Sequence, residues 1–338
     1  MVIIGLVLAL AGLVVTALRV GAYPVTTGDA LAAVGAAIGL GRSATDSIDA
    51  TTLSVIQEIR LPRVLLAVLV GGSLSTSGVL LQGMFRNPLA EPGIVGVSAG
   101  AAVGAVGGIV TGFAVGALGV AAAAFVGGLI TTLLVYAVAR SSGRTETVTL
   151  VLSGIAVNSI AGALIGLAMF VSDDAQLRSI TFWNLGTLGA ATWTAVSVVA
   201  PIATVGLLVA PRFARSLDLV SLGEDAAGHL GIDVKRMRLQ LIVVVAALAS
   251  AAVAVAGIIS FVGLVVPHLA RMVLGPRHRV LIPACALGGA CLLVGADLVA
   301  RTIAAPAEIP LGVLTGLIGG PFFFWLLLRA RKADGGWA

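Results

Sequence analysis

Gly96-Val97-Ser98-Ala99-Gly100 has the G-x-S-x-G spacing in which a serine hydroxyl attacks a carbonyl, and His268 is the residue that could act as its base. That chemistry needs the serine on a sharp turn from strand to helix. Here the motif opens a glycine-rich apolar run, so a helix packed through its glycines is expected, with a serine hydrolase as the alternative. His229, His268 and His278 share no metal-ligand spacing, and His229 and His278 read as loop residues. Lys235 and Lys332, the two lysines, stand outside any G-x-x-x-x-G-K-[ST] loop, so that means of cradling a nucleotide phosphate is missing. Cys285 and Cys291 lie six apart in an apolar run, which does not stack them on one helix face, and they read as small buried hydrophobes. Arg60 and Arg63 border an apolar run, where they can anchor a helix end among lipid headgroups.

The elements that position these residues follow from composition. Of 338 residues 59% are hydrophobic and 10% charged, whereas soluble domains carry about 25% charged residues. Uncharged runs of about twenty residues, the length of a helix crossing hydrocarbon, recur from end to end. The expected fold class is an all-α polytopic membrane protein, in which 44 glycines interleaved with Leu, Val and Ile let helices approach closely. Spans are expected near 1–18, 64–81, 94–110, 115–139, 148–170, 192–210, 239–259, 261–274, 280–295 and 311–328, about ten in a single domain, 1–338. Pro267 predicts a broken or tilted helix over 261–274. Residues 19–60, with Pro24, Asp29, Arg42, Asp46, Asp49 and Glu58, predict a mostly solvated external segment. The Asn87–Gly93 turn and the 257–267 region belong at a cavity or loop mouth, because backbone at membrane depth must find partners within the protein.

Threading the spans leaves only Arg19, Arg42, Arg60, Arg63, Arg178 and Arg301, of 20 basic residues, on one face. The opposite face is therefore cytoplasmic, with both termini inside, and Arg19 at the outer end of the first span is outvoted. The net charge of +5 is read as this topology signal, with no nucleic-acid partner. The longest cytoplasmic loop, 211–238, has apolar residues at helical spacing from Leu219 to Leu230, Glu224 and Asp225 early, and Lys235, Arg236 and Arg238 beyond Gly231. This predicts a short amphipathic helix ending near Gly231. Helices that lie on lipid favour a basic face, so the acidic start favours a cytoplasmic protein partner. Few ionisable residues fall in mid-span, and Asp297 and Glu308 sit near outer ends. This weighs against an ion-coupled secondary transporter, the other alternative.

Five segments in order, Arg60–Arg63, Gln82–Gly93, Gly223–Gly231, Phe261–His268 and Ala307–Gly312, resemble the FecCD-type permeases, membrane subunits of type II ATP-binding-cassette importers for ferric siderophores, haem and cobalamin. The likeness runs from about Glu58 to Arg329. It implies a homodimer of ten-helix subunits with inverted four-helix repeats in the cell membrane, two cytoplasmic ATPase subunits and an external substrate-binding protein. ATP and magnesium would bind the ATPase, leaving this chain without a cofactor and not itself an enzyme. The resemblance further implies that Leu222, Gly223, Glu224, Ala227, Leu230 and Gly231 belong to a coupling helix in the ATPase cleft. Arg60, Arg63 and Arg301 would receive acidic residues of the binding protein, with the physics of rim charges that cost little when unpaired. Asn87, Leu89 and Thr147 would narrow the cytoplasmic end of the path. Residues 174–193 look most like the haem-type permeases, then the siderophore type, then the cobalamin type.

Overall fold

The structure is a computed structural model that describes residues 1–37, 48–141, 144–145 and 147–333; Arg42 and Asp46 lie outside the described residues. The chain runs through α1 (Val2–Arg19), α2 (Thr27–Ala37), α3 (Ala50–Ser54), α4 (Leu61–Phe85), α5 (Val97–Thr111), α6 (Gly116–Val138) and α7 (Thr147–Phe170). It continues through α8 (Asp174–Leu185), α9 (Trp193–Val209), α10 (Ala214–Val220), α11 (Glu224–His229), α12 (Val234–Ala256), α13 (Val262–Leu274), α14 (His278–Ala300) and α15 (Leu311–Ala333). Strand structure among the described residues is limited to the two-residue antiparallel pair Arg140–Ser141 and Arg144–Thr145. Among the described residues seven helical stretches are long and apolar enough to cross a membrane, and three shorter apolar helices, α5, α13 and α15, bring the number to the ten spans expected.

Three local features differ from the sequence expectation. The second span starts earlier, because α3, a π-helical stretch at Val55–Arg60 and α4 form one 36-residue helix, Ala50–Phe85. Asp49 starts it by accepting hydrogen bonds from the Thr51 and Thr52 N–H groups, and Thr52, Ile56 and Arg60 face inward while Thr51, Ser54, Glu58 and Ile59 stay exposed, so residues 50–60 are helical with one packed face. Second, Pro267 does not break α13. The carbonyl of Gly263, which the proline cannot serve, accepts a hydrogen bond from Gln82 Nε2 at 3.4 Å, and the break falls before the helix, at Gly257 and Phe261. Third, Leu219–Leu230 is not one helix. Gly223, at φ 126°, separates α10 from α11.

α4 is the central element, buried along its length against α9, α12, α13 and α14. Glycines set its closest approaches. A methyl group on Gly71 would overlap the Gly289 carbonyl of α14, and one on Gly78 would overlap the Gly263 carbonyl of α13. The core divides along α4 into two clusters, one including Val64, Val70, Leu293 and Ala300, the other Leu80, Met84, Leu217 and Leu281. At about 1.5 Å per residue, α4 holds Arg63 and the Asn87 turn roughly 35 Å apart, at opposite ends of the bundle. Helix polarity puts Met1 and the end of α15 at the Asn87 end.

Candidate functional site

The Arg63 end is a closed network. Arg63 Nε donates to both Asp297 oxygens at 3.0 and 3.1 Å, and its Nη1 and Nη2 donate to Glu308 at 2.8 and 2.9 Å. These are charge-assisted, two-pronged contacts on both sides of one guanidinium. Asp297 also faces Arg301 Nε at 3.7 Å. Arg60 Nη1 donates to the Leu18 and Arg19 carbonyls at 2.7 and 2.8 Å, its Nη2 donates to the Tyr23 carbonyl, and Arg301 donates to the Ala17 carbonyl. The last carbonyls of a helix have no partner within it, so Arg60 and Arg301 together satisfy the C-terminus of α1. Arg60, Arg63 and Arg301 are only 4, 7 and 8% exposed. Within this chain they are buried, paired groups, because α1 and the 301–310 segment close over them. Asp297 and Glu308 are partners that the sequence reading missed. The spacing of Asp297 and Arg301, one helical turn apart, was the available signal. The Arg63 hydrogen bonds hold the Glu308 carboxyl below the usual carboxylate range. A cavity of about 230 Å³ lies among Tyr23, Arg60, Arg63, Arg301, Pro306 and Glu308.

At the other end, α11 is a single anchored turn and a half. Glu224 accepts from Arg238 Nη1 and Nη2 of α12 at 3.1 and 2.6 Å, and Ala227 is fully buried in the second cluster. The Ile232 N–H bonds the Ala227 carbonyl and the Gly231 N–H bonds the Gly228 carbonyl, a paired C-terminal stop that needs Gly231 at its φ of 84°. Leu222 and Leu230, which flank the helix, are 70 and 58% exposed. His278 is not in a loop; it opens α14 and is buried. Its N–H and Nδ1 both bond Asp218 Oδ1 of α10, at 2.9 and 2.7 Å, and its ring lies against Gly83 of α4. The segment bearing Leu222–Gly231 is thereby tied to the last turns of α4.

That end of α4 leads into the Asn87 turn. Asn87 Oδ1 accepts from the Leu89 N–H at 2.9 Å and its carbonyl accepts from the Ala90 N–H at 3.1 Å, so the side chain shapes the turn. Asn87 and Leu89 line a cavity of about 360 Å³ with Glu91, Leu150, Phe261 and Phe323. Thr147 is the first residue of α7, which also supplies Leu150, but its side chain lies outside the described residues. Glu91 and Phe261 belong to the two segments, Asn87–Gly93 and 257–267, expected at a cavity, and both line this one. Burial pushes the Glu91 carboxyl, in the loop between α4 and α5, up to about 7, opposed by the Phe261 backbone N–H. Phe261 is left-handed at φ 68°, a conformation no sequence signal marks for phenylalanine, and the absent side chain of Gly319 makes room for its ring. Ser98 lies in α5 after turns and not after a strand, and Gly96 and Gly100 pack against Thr131 of α6, so the glycines of that motif serve packing.

The FecCD transport family model matches residues 4–329. The hemin transport system permease HmuU of Yersinia pestis is 48% identical over 288 residues, which covers 82% of this chain and 84% of that protein. The cobalamin import permease BtuC of Halobacterium salinarum is 47% identical over 277 residues, covering 82% and 74%. A solved structure described as an inward-facing metal-chelate type ABC transporter superposes with a TM-score of 0.84 at 33% identity, over 97% of this chain and 98% of that one. A helical bundle with ten apolar helices among its described residues, matched over almost its whole length in sequence and in shape, is thus a transport permease, and the chain belongs to the FecCD transport family.

Proposed function

We propose that this chain is the membrane subunit of an ATP-driven importer that carries haem into the cytoplasm, working as a homodimer with two ATPase subunits and an external binding protein. The observation that carries this reading is α11. Its inner face is fixed by Ala227 and the Glu224–Arg238 pair, while Leu222 and Leu230 stand exposed beside it. Exposed leucines on an anchored polar helix suit docking onto a protein groove. In this reading α11 faces the cytoplasm with both termini, and Arg60, Arg63 and Arg301 lie at the outer mouth. ATP and its magnesium bind the partner chains, whose closure pushes on α11. The Asp218–His278 contact passes the push to α4, and with it to Asn87, Leu89 and α7, which Thr147 opens. The 48% identity to a hemin permease favours haem, and the 47% identity to a cobalamin permease makes cobalamin the comparison to run beside it.

The test is co-reconstitution with an ATPase subunit in proteoliposomes. Hemin-loaded binding protein is expected to raise ATP turnover and drive hemin inside, and Leu222→Asp with Leu230→Asp to abolish both. Uptake without nucleotide would sink the importer reading. Stimulation by cobalamin or a ferric siderophore, and none by hemin, would sink the cargo assignment alone.

A further inference from the structure

We propose that Glu308 holds, in the undocked transporter, the edge of Arg63 that a carboxylate of the binding protein takes over, so that docking exchanges one carboxylate for another. This rests on the reading of the arginine end as the docking site. The two acids on Arg63 are not equivalent. The Asp297 side chain is 2% exposed, lies on α14 and is shared with Arg301, whereas the Glu308 side chain is 41% exposed and lies on the non-helical segment before α15. Withdrawing Asp297 would leave buried charge without a partner, while Glu308 can turn into water and be solvated there. Arg63 lines the roughly 230 Å³ cavity with Glu308, Arg60 and Arg301; its Nη1 and Nη2 donate to Glu308, and Nη2 is shared with Asp297 Oδ1 at 2.9 Å. An incoming Asp or Glu side chain that fills this cavity meets three guanidinium groups and displaces one competitor. Arg63 then keeps a partner throughout, so neither the free nor the docked state carries an uncompensated buried cation.

The exchange also alters the tether of α15. Glu308 is followed by Ile309, whose N–H bonds the Ala300 carbonyl, and Leu311, whose N–H bonds the Gly186 carbonyl, each at 2.9 Å. Releasing Glu308 removes the ionic member of this set. Midway along, α15 carries Phe323, whose ring centroid lies 6.5 Å from that of Phe261 at the Asn87 cavity.

The measurement is affinity of the binding protein that stimulates the wild-type transporter, for transporter in lipid nanodiscs. Glu308→Gln is expected to tighten binding roughly tenfold, because the competitor is lost while Asp297 keeps Arg63 paired. Glu58→Gln removes the same charge from an exposed position on the continuous helix that carries Arg63 and is expected to change affinity less than about twofold. In an Arg63→Gln background the gain from Glu308→Gln should vanish, since exchange requires the guanidinium. Unchanged or weakened binding by Glu308→Gln, a gain matched by Glu58→Gln, or a gain that survives Arg63→Gln would overturn the exchange. Wild-type binding indifferent to salt would instead overturn the docking reading beneath it.

Discussion

The two ends of α4 solve the same problem in opposite ways. At the Arg63 end Arg60, Arg63 and Arg301 are enclosed and paired. At the Asn87 end an ion pair, Glu224 with Arg238, and a hydrogen-bonded pair, Asp218 with His278, fasten a helix whose neighbouring leucines face outward. Charge is a fastening at both ends, and at the Asn87 end exposed leucines stand beside it. A side chain's exposure therefore says more about its task here than its charge does.

The sharpest way to break this contrast is Asp297→Ala. It strips a shared partner from two buried arginines and is expected to cost roughly 3–5 kcal/mol, read as a lowered thermal midpoint in detergent. A loss well under 1 kcal/mol would mean that the arginine end is open to water. Glu224→Ala comes next. Arg238, with a side chain 6% exposed, loses its partner, at an expected cost of about 1–3 kcal/mol, seen as faster amide hydrogen exchange in α11 with little change in α1.

Acid and base should divide the ends with smaller effects. Glu308 has a lowered pKa, so its stabilisation is complete above the unfolded value of about 4.3 and is lost as pH falls through the folded one. Glu91 has a pKa raised to about 7, so its contribution runs the other way: stability declines as pH rises from about 4.3 towards 7. Glu91→Gln should remove that decline and leave the acid-side loss intact, which thermal unfolding across pH 4 to 8 would report, with equal slopes in mutant and wild type counting against it. Smallest in stability is Leu222→Ser, expected within about 0.5 kcal/mol, although ATPase binding falls.

Much of the scaffold was legible because hydropathy is local. Runs such as 239–259 and 280–295 announce α12 and α14 within a few residues, and the resemblance ordered them. Long-range pairing was not legible. Arg63 lies 234 residues from Asp297 and 245 from Glu308, and only the folded bundle brings them together. The Asn87 turn was readable from Pro88 and Asn87, whereas the burial that raises the Glu91 carboxyl comes only with the folded cavity. Pro267 misled because its usual penalty is met by a side chain from another helix, Gln82. The division of Leu219–Leu230 depends on Gly223, whose φ is a property of the fold and not of its neighbours in sequence.

The glycine contacts along α4 have a mechanical result. Where main chain rests on main chain, at Gly71 with Gly289 and Gly78 with Gly263, there is no rotamer to swing aside, so one rod cannot ratchet past the next. α4, α13 and α14 form a chassis. The apolar window of the α4 stretch is 83% buried within the chain, whereas that of α7 is only 17% buried, so α4 belongs to the interior of this chassis and α7 turns most of its surface outward from it.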